Sequence, residues 1–84
     1  MELKGAVAVI TGGASGIGES VAKSMARKGV KVVIGDMDSK NLERVSAEIT
    51  AAGGQVASLK VNVTNEEDVA NLMDLAISKF GSLN

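Results

Sequence analysis

The 84-residue sequence has no cysteine, histidine, proline, tryptophan or tyrosine, and one aromatic residue, Phe80. Without cysteine or histidine there is no disulfide, thiol nucleophile, imidazole base or Cys/His metal site. The lack of cysteine agrees with a reducing compartment, and a cytoplasmic address is expected. A single aromatic offers no platform for stacking unpaired bases. Nine basic and ten acidic residues give a formal charge of −1 and form no basic stripe, so nucleic acid is not an expected partner. The apolar run over 6–10 is too short for a signal peptide or a membrane span, so no membrane partner is expected either.

Ten glycines stand against the missing prolines. That balance favours turns that need positive φ or close backbone approach over turns set by a proline ring. The length allows one small domain, residues 1–84, which hides only about 60–65% of its unfolded surface. The core is therefore thin.

Ala6-Val7-Ala8-Val9-Ile10 is a continuous apolar run rich in β-branched residues, the pattern of a strand covered on both faces. Ile17, Val21, Ala22, Met25 and Ala26 then recur at helical spacing, and Gly29 follows as a C-terminal stop, predicting a helix over 17–28. Val30 to Gly35 reads as a second buried strand ending at Asp36. Ser39 is the expected N-cap of a helix that turns Leu42, Val45 and Ile49 to one side and stops at Gly53-Gly54. Gln55 to Val63 is a third strand by its alternation. Thr64 with Glu67 predicts a capping box for a third helix, which buries Val69, Leu72, Met73, Ala76, Ile77 and Phe80 and breaks at Gly81.

The order β-α-β-α-β-α with short connections predicts parallel strands in the order 3-2-1, an α/β fold amounting to half of a doubly wound Rossmann sheet. Ser82-Leu83-Asn84 reads as the approach to a fourth strand, so the 84 residues are expected to be an incomplete N-terminal part of a longer domain.

The turn Thr11-Gly12-Gly13-Ala14-Ser15-Gly16-Ile17-Gly18 joins a buried strand to an amphipathic helix. A helix N-terminus presents unpaired N–H groups and partial positive charge, which suits a phosphate. Side chains would hold the phosphate off, and Gly12, Gly16 and Gly18 remove them. Gly12 permits a tight exit from the strand, Gly16 lets backbone approach a pyrophosphate, and Gly18 allows the helix to pack closely. A glycine turn alone could simply reverse the chain; its position in a βαβ unit closed by an acidic residue makes it a dinucleotide fingerprint. No Lys-Ser or Lys-Thr pair opens the helix, so a Walker-type loop is excluded.

Asp36 follows Gly18 by eighteen positions and ends the second strand. A carboxylate there can accept both ribose hydroxyls of an adenosine and would repel a 2′-phosphate. Ser15 brings no positive charge to the turn, and Lys40 is expected to point outward, so NAD is preferred over NADP. Asn62 and Val63, at the end of the third strand, are candidates to meet the adenine: the amide oxygen could accept from the amino group, and the Val63 N–H could meet a ring nitrogen. A simple strand end before a helix cap fits those two residues equally well. The candidate cofactor-binding set is Gly12, Ser15, Gly16, Ile17, Gly18, Asp36, Asn62 and Val63.

This turn resembles the T-G-x-x-x-G-x-G motif of classical short-chain dehydrogenases/reductases. Asp36 matches the position that selects NAD in that family. Asn62-Val63-Thr64 is similar to its D-V-T segment, with Asn replacing the usual Asp; the acceptor stays and a charge is lost. The resemblance covers the whole chain. It implies hydride transfer between a nicotinamide cofactor and a small-molecule alcohol or carbonyl substrate, in a parent enzyme that forms homo-oligomers. It also implies a catalytic Tyr, Lys, Ser and Asn, whose motifs fall beyond residue 84, and this sequence has no tyrosine. No catalytic or metal-binding residue is assigned. Glu66, Glu67 and Asp68 suit the positive end of a helix, and Ser15 and Ser20 lack a partner to activate them. The segment is expected to bind cofactor without turning it over. The alternative is a stand-alone nucleotide-binding or self-associating module, whose first strand would be an open edge.

Overall fold

The computed structural model describes residues 5–12 and 14–81. The elements run β1 (Val7–Thr11), α1 (Gly16–Arg27), β2 (Lys31–Asp36), α2 (Ser39–Ala51), β3 (Val56–Lys60) and α3 (Glu66–Phe80). Both strand pairings are parallel, with Val9 opposite Val33 and Val33 opposite Ala57. The sheet order is β1-β2-β3. It is written in the opposite sense to the expected 3-2-1, and the same strands are neighbours. The half Rossmann architecture stands.

Alternation along the central strand divides the core. Val32 and Ile34 pack with Ala22, Leu42, Val45 and Ile49 in the α1/α2 layer. Val33 joins Val7, Val61, Leu72 and Ala76 in the α3 layer. Residues 32–35 of β2 are buried on both faces, as a continuous apolar run requires. β1 is less covered, because β2 is its one sheet neighbour among the described residues.

Several local expectations are corrected. The N-cap of α2 is Asp38, not Ser39: Asp38 Oδ1 accepts the Asn41 N–H at 3.1 Å. The Asp36 carboxylate draws in the Asp38 N–H at 3.0 Å, so the chain turns immediately after β2 and the helix begins one residue early. The N-cap of α3 is Asn65, not Thr64, and accepts from the Glu67 and Asp68 N–H groups at 2.9 and 3.2 Å. The expected capping box is not made, because both the N–H and the hydroxyl of Thr64 turn back onto Asn62 Oδ1. β3 pairs only as far as Lys60, since its partner β2 ends opposite at Asp36. On α3, Met73 and Ile77 are exposed; the sheet covers Leu72 and Ala76, and the apolar stripe is wider than that contact. No helix among the described residues is long and apolar enough to cross a membrane. Gly13 and the stretch 82–84 read as the approach to a further strand lie outside the described residues.

Candidate functional site

The glycine turn leaves the sheet at the carboxyl end of β1. The Gly12 N–H still bonds Gly35 O at 2.7 Å, and Gly12 then takes φ +70°, reversing the chain at once. Ser15 is extended (φ −145°), and Gly16 opens α1 at φ +50°. L side chains rarely adopt either positive-φ conformation. A Cβ at Gly12 or Gly16 would meet nothing within 4 Å. These glycines therefore serve the backbone path and leave clear space before the turn. Ala14, fully buried in the α1/α2 core, anchors the middle of the turn.

The three helix N-termini differ. Asp38 caps α2 and Asn65 caps α3, whereas the Ser15 side chain makes no cap hydrogen bond to α1. Geometry leaves the first N–H groups of any helix without an intrahelical partner. At Gly16, Ile17 and Gly18 no side chain among the described residues takes them up. Ile17 is 84% exposed beside them.

Asp36 stands across from the turn at the end of β2. Its Oδ2 accepts the Ala14 N–H at 3.3 Å and its Oδ1 the Asp38 N–H at 3.0 Å. One carboxylate thus ties the glycine turn to the β2–α2 turn, and each oxygen keeps acceptor capacity. Thr11, Gly12, Ser15, Asp36, Met37, Val61 and Val63 line an open groove of about 420 Å³ over the ends of all three strands. Gly12, Ser15, Asp36 and Val63 were legible as candidates; Thr11, Met37 and Val61 were not singled out. Met37 and Val63, 61% and 58% exposed, are apolar side chains at this groove. Lys40 is exposed on the first turn of α2.

Asn62 lies between the groove residues Val61 and Val63. Its Oδ1 accepts from the Thr64 N–H at 3.0 Å and the Thr64 hydroxyl at 2.7 Å. The acceptor considered for an adenine amino group is thus engaged inside its own loop.

A second depression of about 600 Å³ opens at the opposite end of the sheet, lined by Ala26, Gly29, Ile49, Gly53 and Gly54 with charged residues at its margin. Two helices end there, so it meets carbonyl ends, whose partial charge is negative. Beside it Glu19 and Glu48 pair with Lys23 and Arg44 across α1 and α2; Arg44 meets Glu19 at 2.7 Å and Glu48 at 3.2 Å. Hydrogen bonds from Arg44, then Lys23, lower the Glu19 pKa from 4.5 to about 2. Glu48 is lowered by Lys23 and Arg44, and both cations are raised by their carboxylate partners. This network joins two helices, and none of its four residues lines the groove. No group of three or more Asp or Glu residues among the described residues could hold a metal ion.

The family model described as short chain dehydrogenase matches residues 6–84. The 2,5-dichloro-2,5-cyclohexadiene-1,4-diol dehydrogenase of Sphingobium indicum is 46% identical over 81 residues, 96% of this chain and 32% of that protein. The 7alpha-hydroxysteroid dehydrogenase of Escherichia coli is 36% identical over 83 residues, 99% of this chain and 32% of that protein. The chain thus spans about a third of the length of the curated relatives it matches. A short chain dehydrogenase/reductase from Burkholderia phymatum, solved in complex with NAD, superposes with a TM-score of 0.97 at 38% identity, over all of this chain and 30% of that one.

Proposed function

The chain belongs to the short chain dehydrogenase family, and we propose that it forms the NAD-binding part of an oxidoreductase acting on an alcohol or carbonyl substrate. The observation that carries the reading is the α1 N-terminus: its N–H groups lack a side-chain cap and face cleared space behind two positive-φ glycines. An anion fits that donor set, and the N–H groups of Gly16, Ile17 and Gly18 would hold the pyrophosphate. The nicotinamide, when bound, supplies hydride transfer. Every other contribution of this chain is binding and orientation. The Asp36 carboxylate would accept the adenosine ribose hydroxyls and set its charge against a 2′-phosphate. Val61 and Val63 would border the base, and the Val63 N–H would be its polar contact there. With its oxygen engaged by Thr64, Asn62 would offer its Nδ2 donor to a ring nitrogen rather than an acceptor to the amino group. The relatives' names, dehydrogenases of a cyclic diol and of a steroid, and the neighbour's NAD complex support the class of reaction and cofactor. A tyrosine-based proton transfer would use residues outside these 84, since the sequence has none.

Calorimetric titration with NAD and NADP tests the reading. NAD binds more tightly, Asp36→Ala erases most of that preference, and Gly16→Val abolishes binding of both. Equal affinity of the unaltered chain for the two cofactors would refute the role of Asp36.

A further inference from the structure

The base-side wall of the groove depends on how the chain leaves β3. Val61 still bonds the sheet, its N–H meeting Asp36 O at 3.0 Å. One residue on, alternation turns the half-buried Asn62 N–H away from β2, to the side of β3 where no strand lies among the described residues. Asp68 Oδ2 accepts that N–H at 2.9 Å. Asp68 sits in the first turn of α3 with Glu66 and Glu67, where favourable interaction with the helix end accounts for all three carboxylates. Glu66 and Glu67 are exposed, whereas Asp68 is half-buried and reaches back to the strand end. The remaining bonds of the loop are local: Asn65 N–H to Asn62 O, and Thr64 to Asn62 Oδ1. They shape the turn without tying it back to the helix beyond the cap. Removing the Asp68 carboxylate would orphan a partly buried donor and release Asn62-Val63 from α3.

We infer that Asp68 is a positioning residue for the dinucleotide groove, holding Asn62 and Val63 at a fixed distance from the edge of the bound base. The inference rests on the cofactor reading above. If it holds, altering Asp68 changes recognition of the base specifically, and an acceptor of the same shape restores it.

The test measures the affinity of the full chain for NAD and for nicotinamide hypoxanthine dinucleotide, whose base carries a carbonyl in place of the amino group and a proton on ring N1, so that this nitrogen no longer accepts from the Val63 N–H or the Asn62 Nδ2 group. Asp68→Ala is expected to weaken NAD binding about tenfold and to collapse the preference for NAD over the hypoxanthine analogue. Asp68→Asn, which keeps an oxygen acceptor, is expected to retain both affinity and preference. Amide hydrogen exchange supplies a second readout: Asp68→Ala accelerates exchange at Asn62 and leaves Val61 protected. An Asp68→Ala chain that binds NAD with unaltered preference overturns the inference and leaves the cofactor reading intact. So does a variant that loses affinity for both dinucleotides in equal proportion. A wild-type chain that binds neither dinucleotide overturns the cofactor reading and this inference together.

Discussion

Gly35 and Gly16 are both glycines, for different reasons. Gly16 is required by a backbone φ of +50°, with open space where a Cβ would go. Gly35 lies in a strand, and a Cβ there would stand 2.7 Å from Val61 Cγ2 and 2.8 Å from Leu72 Cδ2. Leu72 and Val61 are among the fully buried side chains, so neither can yield cheaply. Gly35→Ala is therefore expected to destabilise the fold by about 1–3 kcal/mol through overpacking, read as a lower denaturant midpoint with an unchanged slope. The sequence shows the two kinds unequally. Gly12 and Gly16 were legible because a glycine-spaced turn there sits between a strand and a helix and points to Asp36. Gly35 looked like one more residue of a β-branched run, since its reason lies in a side chain thirty-seven positions later. The bond from Ala14 to Asp36 was hidden likewise: periodicity places both turns at one sheet edge but does not tell which N–H a carboxylate meets.

Between elements, the helices carry their own tests. Asn65→Ala should cost about 1 kcal/mol as a lost N-cap, and Thr64→Ala less, because the Thr64 hydroxyl serves Asn62 and not the helix. Thermal unfolding of the two variants decides between the cap seen here and the one the sequence pattern suggests. The pattern misplaced both caps by one residue because Ser, Thr, Asp and Asn are all competent, and 38–39 and 64–65 each offer two in a row. The α1–α2 ion network gives a pH dependence. Glu19 is depressed from 4.5 to about 2, so its stabilising share is complete above 4.5 and is lost as pH falls from there toward 2. The wild-type Tm should fall more steeply than that of Glu19→Gln across this window, and parallel curves would remove the network from the account. Arg44 and Glu48 are exposed and Glu19 and Lys23 only half-buried, so the pairs contribute modestly, and added salt should narrow the difference. Long side chains meeting across two helices leave no mark in a sequence, whereas the helices themselves are plain from Ile17, Val21 and Leu42, Val45, Ile49.

On the scale of the whole chain, two helices cover one face of a three-stranded sheet and one helix covers the other. The groove lies at the end where the strands deliver Gly12, Asp36 and Val61. Strand order, parallel pairing and the two-sided core followed from apolar runs alternating with amphipathic stretches. What did not follow was the coverage at the sides: Ile17, Val21, Met73 and Ile77 are exposed apolar residues on α1 and α3, and β1 has β2 alone as a described neighbour. An open strand edge and exposed apolar side chains each favour association with another chain. The 84 residues on their own are thus expected to self-associate as concentration rises, and sedimentation as a monodisperse monomer throughout would contradict this. At the carboxyl ends of the strands, the uncapped start of α1 is the proposed dinucleotide site. Titration of NAD into the ¹⁵N-labelled chain, followed by amide shifts, addresses it most directly. Saturable shifts are expected, concentrated at Gly16, Ile17 and Gly18, with Asp36 and Val63 responding. An absence of shifts there, or shifts centred on the depression at Gly29 and Gly53, would contradict it.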